Sequence, residues 1–283
     1  MITRKKMFAI FVLISLLNTV NAQVNHHLVI PSSPTAADMS EERLQRIDTV
    51  LQQALNDKWT NGAEALIIRH GKIIYNKSFG YNDLEKKIKM PDNGIFRIAS
   101  QTKAVTSVAI MMLYEEGKLL LDDPVSMYIP SFKNPVVLDH YNEKDTTYTT
   151  VPAKSEITIL HLLTHTSGIA YAQIGGGPSN SIYAKNNIIS GLGLEKKLLA
   201  DNIKKLAALP LMHNPGEQYT YGLNTDVLGY IVEIVSGMSL DEFFHKRLFE
   251  PLGMKDTYFQ LGVSKFFNVN ALVKSTCPGY CLC

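Results

Sequence analysis

Apolar and polar positions alternate along the chain in two periods, one helical and one extended. In MSEERLQRIDTVLQQALND, the residues Leu44, Ile47, Val50, Leu51 and Leu55 recur on one helical stripe. Ser40 precedes them as an N-cap, with Glu41 and Glu42 in the first turn. AEALIIRHGKIIYNKSFGYND then reads as two strands joined by a tight RHGK turn. In the helix that follows SQTK, Ala104, Val105, Val108, Ala109, Met112 and Leu113 are apolar on most sides, which predicts a helix buried by its domain. LDDPVSMYIPSFKNP is a proline-punctuated loop, and KDTTYTTVPAKSEITIL is polar and β-prone. GLEKKLLADNIKKLAALPL predicts an amphipathic helix with lysines outside, and TDVLGYIVEIVSGMSLDEFFHKRLFEPLGM two helices about a Ser-Gly turn. Helix, hairpin and then a long helical region predict a mixed α/β body of the α+β kind.

The two ends follow other patterns. MITRKK is basic, MFAIFVLISLL is apolar, and NTVNA ends in small residues, the three parts of a secretory signal cleaved after Ala22. The apolar run falls short of the ~20 residues a spanning helix needs. The expected layout is therefore a signal peptide over 1–22, a linker over 23–38 and a domain over 39–260. The mature protein is expected in the periplasm or outside the cell, with no stable membrane anchor. At the other end, TCPGYCLC holds Cys277, Cys281 and Cys283. They can supply one disulfide with a thiol left over, or metal ligands without a local His or acidic companion, or belong to a tail (261–283) foreign to the fold.

Composition narrows the chemistry. The chain is 46% hydrophobic and 19% charged with a net charge of +2, which gives no electrostatic case for nucleic acid or an anionic membrane surface. No cysteine precedes Cys277, so the body of the chain has no thiol nucleophile. GGG within AQIGGGPSNS lacks a following Lys-Ser/Thr pair and a preceding strand, and reads as a surface loop, not a phosphate cradle.

Ser100 and Lys103 stand three residues apart at the start of the apolar helix, within side-chain reach. A serine hydroxyl needs a base to become a nucleophile, and burial lowers a lysine pKa toward that role. Alternatively, Ser100 is an N-cap and Lys103 a solvated first-turn residue. NPGEQYTYGLNTDVLG adds Tyr219 and Tyr221, either of which can be a proton relay beside an ammonium or a core aromatic with a satisfied hydroxyl.

Four ordered blocks carry a resemblance: IFRIASQTKAVTSVAIMMLYEEGKLLLDDPVSMYIP, ITILHLLTHTSGI, NPGEQYTYGLNTDVLGYIVEIVSGMSLDEFF and LFEPLGMKDTYF. Together they resemble the serine β-lactamase-related hydrolases, which include class C β-lactamases, family VIII carboxylesterases and D-alanyl-D-alanine carboxypeptidases. The resemblance implies an α/β sandwich beside an all-helical region, with Ser100 as the acylated nucleophile, Lys103 as its proton-abstracting partner and Tyr221 as the tyrosine of a Tyr-x-Asn element. Leu223 stands where that element has Asn, a departure closer to the esterase-type members. His165 of the HTSG block has no catalytic counterpart in the resemblance. No metal or organic cofactor is implied, and the substrate is expected to be a small ester, β-lactam or peptide. The third motif of the family, of Lys/His-Thr/Ser-Gly type, does not follow Phe259, which predicts a C-terminally truncated member lacking later sheet strands. A non-catalytic penicillin- or peptide-binding relative and an inactive truncated product are the alternatives.

Overall fold

The structure is a computed structural model and describes residues 33–189 and 198–259. The expected signal peptide, the cysteine tail and the start of the GLEKK helix lie outside the described residues. The chain divides after Asn93 into two compact units.

In the first unit, a 3₁₀ turn (Pro34–Ala37) occupies the end of the expected linker. Helix α1 (Glu41–Asn56) follows, capped as expected by Ser40, whose hydroxyl accepts the Arg43 amide at 3.3 Å. Its stripe is narrower than predicted. Leu44 is buried and Ile47, Leu51 and Leu55 are half-buried, whereas Val50 is 65% exposed. Six residues after Leu44, Val50 falls about 120° from it around the helix, outside the buried sector. Strands β1 (Gly62–Arg69), β2 (Lys72–Asp83) and β3 (Ile88–Lys89) form one antiparallel sheet in that order. The β1–β2 hairpin closes on the Arg69–Lys72 pair, with His70 and Gly71 both at positive φ (50° and 71°). That is the two-residue turn whose twist matches the strands it joins. Asp48 of α1 ties helix to sheet, accepting from the Tyr75 hydroxyl and, at 2.6 Å, from the Lys77 ammonium of β2.

The second unit holds helices α2 (Thr102–Glu115), α3 (Ile159–Leu163), α4 (Pro178–Lys185), α5 (Leu199–Ala207), α6 (Asn224–Ser236) and α7 (Leu240–Phe244). It is not all-helical. Strands β4 (Val136–Tyr141) and β5 (Tyr148–Pro152) pair antiparallel, and across β4's other edge Leu211 accepts from the Leu138 amide and donates its own amide to Val136 O, both at 2.8 Å. The core is built where α2 meets α6 and α7. Ala109, Ile110 and Leu113 pack among Val227, Leu228, Ile231, Val232, Phe243 and Phe244, all buried. Each of these side chains except Ala109 contributes about 1.5–3 kcal/mol on burial.

Helix α2 is less buried than its apolar pattern predicts. Thr106, Ala109, Ile110 and Leu113 face the core, while Val108 is 47% and Met111 40% exposed. The expected lysines on the outer face of α5 are there, Lys204 and Lys205, opposite buried Ile203 and Leu206. Its Asn202 is buried too, and its amide bonds both backbone groups of Ile189 at 2.9 and 3.0 Å. Gly175, Gly176 and Gly177 form an exposed loop, as read from sequence, and Pro178 opens α4 at a position that favours proline.

Candidate active site

Ser100 does not cap α2. It sits in a 3₁₀ turn (Ala99–Gln101) that feeds the helix, and the N-cap position falls to Gln101, which makes no side-chain cap bond. Ala99, just before the serine, holds φ +45°, a left-handed conformation that costs an L-residue roughly 1–2 kcal/mol. The Ser100 hydroxyl, exposed and unspent on capping, is in contact with two of the side chains singled out from sequence. The Tyr221 hydroxyl lies 2.6 Å away and donates to it, and the Lys103 ammonium donates from 3.4 Å. The structure thus brings Ser100, Lys103 and Tyr221 together, and Tyr219 stays outside at 68% exposure.

The electrostatics reverse one expectation. Burial pulls the Lys103 ammonium down, but Tyr221 and then Tyr171 hold its charged form strongly enough to leave its pKa above the ordinary lysine value. Its Nζ lies 4.9 Å from the Tyr221 ring centroid and 5.7 Å from that of Tyr171, where ring quadrupoles favour a cation. Burial pushes the Tyr221 phenol up, yet its contacts to Lys103 and Ser100 outweigh this and lower its pKa below the ordinary tyrosine value. Sequence pointed to an apolar helix and a neutral lysine; the structure surrounds the lysine with phenols, so the ammonium keeps its proton and the phenol is the group inclined to give one up.

Tyr221 is placed by the HTSG block, whose His165 the resemblance left without a catalytic counterpart. His165 stacks on Tyr221 with ring centroids 5.1 Å apart, and its Nδ1 accepts from the Asn224 amide at 3.0 Å and the Gly222 backbone at 3.4 Å. Two donors converging on Nδ1 leave the ring proton on Nε2. Burial, and next the Lys103 charge, hold the His165 pKa below its ordinary value, so it is neutral. Asn224, fully buried, accepts from the Ser167 hydroxyl, and Ser167 in turn accepts the Ile169 amide at 3.0 Å. Gly222 completes the clamp: a Cβ there would lie 2.1 Å from the Ile169 carbonyl oxygen. Beyond it, the Leu223 amide donates to Ala170 O at 3.2 Å and its side chain is fully buried. The available signal was the pairing of a His-Thr-Ser-Gly helix end with a polar Asn just after Tyr-Gly-Leu.

The approach to the turn is braced as well. His213 Nε2 meets the Thr220 hydroxyl at 2.8 Å, the Lys154 amide donates to Asn214 Oδ1 at 2.9 Å, and Lys154 pairs with Glu217 at 2.6 Å. Among the described residues, no group of three His, Cys, Asp or Glu side chains is placed to hold a metal ion.

A helix start bearing an exposed serine and a half-buried lysine, faced by a clamped tyrosine in an α/β body, defines a β-lactamase/transpeptidase-like fold. The model of the Beta-lactamase family matches residues 47–279, and the chain belongs to that family. It is 36% identical over 227 residues to esterase EstB of Burkholderia gladioli, covering 80% of this chain and 54% of EstB. Among solved structures, it resembles EstCE1, a hydrolase with promiscuous acyltransferase activity, with a TM-score of 0.68 and 32% identity over 80% of this chain and 55% of that one. A class C β-lactamase shares the fold at 19% identity and a TM-score of 0.61, covering 83% of this chain and 55% of that one. The chain spans about half the length of the relatives it matches.

Proposed function

We propose that this chain carries the acylating half of an exported serine hydrolase that cleaves a small ester or amide through an acyl-Ser100 intermediate. The observation that carries the reading is the contact of the Ser100 hydroxyl with both Tyr221 and Lys103. EstB, an esterase, and EstCE1, a hydrolase, support the class of reaction. The three-part N-terminal pattern supports export to the periplasm or beyond.

In the proposed reaction, Tyr221 in its phenolate form takes the Ser100 proton as Oγ attacks the substrate carbonyl carbon. The Lys103 ammonium holds the phenolate and repeats that service in the transition state. The Ser100 backbone N–H supplies one donor to the carbonyl oxygen, aided by the positive end of α2. Tyr221 then passes the proton to the departing alcohol or amine. Water, deprotonated by the same phenolate, attacks the acyl carbon and releases the acid, and Ser100 regains its proton. Activity should therefore rise with pH as Tyr221 ionises below the ordinary tyrosine value. It should fall only where Lys103 loses its proton, above the ordinary lysine value.

A fluorophosphonate should label the wild-type chain on Ser100 and leave Ser100→Ala unlabelled; equal labelling of both would refute the assignment. The alternative, a penicillin-binding relative without turnover, draws on Leu223 in place of the motif's Asn. It predicts a stable acyl-enzyme with penicillin and no release of p-nitrophenol from p-nitrophenyl acetate above the Ser100→Ala background.

A further inference from the structure

We propose that Tyr171 is a positioning residue of this site, holding the Lys103 ammonium against Tyr221 so that the phenol, and not the amine, serves as base. The proposal rests on the acyl-transfer reading above and adds a residue that no motif of the chain singles out. Tyr171 lies three residues past Gly168, on the segment against which Gly222 and Leu223 pack. It is 5% exposed, so its ring is held by the protein and not by solvent. Its centroid stands 5.4 Å from that of Tyr221 and 5.7 Å from Lys103 Nζ. With Nζ 4.9 Å from the Tyr221 centroid, the ammonium and the two rings form a nearly equilateral triangle, in which each phenol ring neighbours both the cation and the other ring.

The surroundings of Tyr171 explain why one phenol is used and the other is not. The groups facing it are Lys103 from α2, Tyr221 from the turn before α6 and Asp226 from the first turn of α6. Burial pushes the Tyr171 hydroxyl up and Asp226 adds to the rise, while Lys103 pulls the other way without prevailing. Asp226 is itself pushed up to about 7 by burial, against the pull of Lys103. Tyr183 of α4, behind the same segment, is pushed up to about 12 by burial and accepts the Ala170 amide at 3.3 Å. Tyr171 therefore stays protonated where Tyr221 ionises. A neutral phenol beside an ammonium donates dipole and ring density without competing for the proton, and this favours the cation. A firmly charged Lys103 in turn favours the Tyr221 phenolate. Two tyrosines of the same chemistry are thereby assigned opposite duties by their burial.

The test uses the full chain and two readouts. Tyrosinate absorbance in the near ultraviolet should show one early-ionising phenol in the wild type that is absent in Tyr221→Phe. In Tyr171→Phe, which keeps the ring and removes only the hydroxyl, that early step should move up by about one pH unit. Fluorophosphonate labelling of Ser100 should follow, with its acid limb shifted up by the same amount and labelling below the midpoint about tenfold slower. Tyr171→Leu, lacking the ring as well, should shift further. If the early step and the acid limb keep their wild-type midpoints in Tyr171→Phe, the proposal is overturned even where labelling slows overall. A wild type that shows the early phenol but is not labelled overturns the acyl-transfer reading and leaves the Tyr171–Lys103–Tyr221 coupling standing. A wild type without any early phenol overturns the coupling itself.

Discussion

Ser100 and Tyr221 stand 2.6 Å apart, yet the backbone around each is held by different means. At the start of α2, the serine lies in a 3₁₀ turn beside a left-handed alanine, with no side-chain cap. At the turn before α6, the tyrosine is gripped by an imidazole, a buried amide, a hydroxyl and a glycine fitted against a carbonyl. In the proposed reaction, the strained, uncapped end presents the group that would change its bonding partner in acylation. The clamped end presents the group whose position would set the proton's path in that proposal. Local strain on one side and redundant anchoring on the other would suit the proposed reaction, in which only one partner forms a covalent bond.

Substitutions on either side sharpen or break that contrast. Tyr221→Phe should carry the largest effect, slowing labelling of Ser100 by about 10²–10⁴-fold with an unchanged unfolding midpoint; a loss of less than tenfold would move the base elsewhere. Gly222→Ala forces a methyl onto the Ile169 carbonyl, and denaturant unfolding should register a loss of about 3 kcal/mol. Asn224→Ala strands the Ser167 hydroxyl in the core and should cost about 2 kcal/mol by the same measurement.

Acid should loosen the clamp through His165. Its folded pKa is depressed, so its contribution to stability is complete above the unfolded value of 6.5 and is lost as pH falls through the folded one. The unfolding midpoint of the wild type should therefore drop below about pH 6.5, and the slope should flatten in His165→Gln. Smallest of all is Ala99→Gly. Relief of the left-handed conformation, less the extra freedom glycine gains in the unfolded chain, should raise stability by about 0.5 kcal/mol. A destabilisation there would mean that Ala99 is not strained in solution.

Periodicity revealed much of this arrangement before any coordinates. The hairpin was legible because His-Gly between two alternating runs admits few other conformations, and α6 because Asn224 opens a clean apolar stripe. Strand β4 was missed: Val136–Tyr141 follows a proline-rich stretch and pairs partly with Leu211, a partner too remote for any local pattern. The exposed flank of α2 was misjudged because the helix is apolar on most sides, and an apolar residue carries no mark of which face meets the core. The Ser100–Lys103–Tyr221 trio was legible from ordered blocks. The direction of the Lys103 shift was not, since it depends on Tyr171 and Tyr221 arriving from far along the chain. His165 escaped because its part is played through one ring nitrogen, and a sequence does not say which.

The close approach of Gly222 also bears on how this site can be redesigned. The obvious route to a lactamase-like element is to write Ser-Asn over Gly222-Leu223. The first change would drive a side chain into the Ile169 carbonyl, and the second would bury an amide where Leu223 now has no access to water. Each step alone is destabilising, and together they demand that the Ile169–Ala170 segment retreat. A mutational walk toward the lactamase motif therefore loses stability at its first step unless the supporting backbone moves before the motif does.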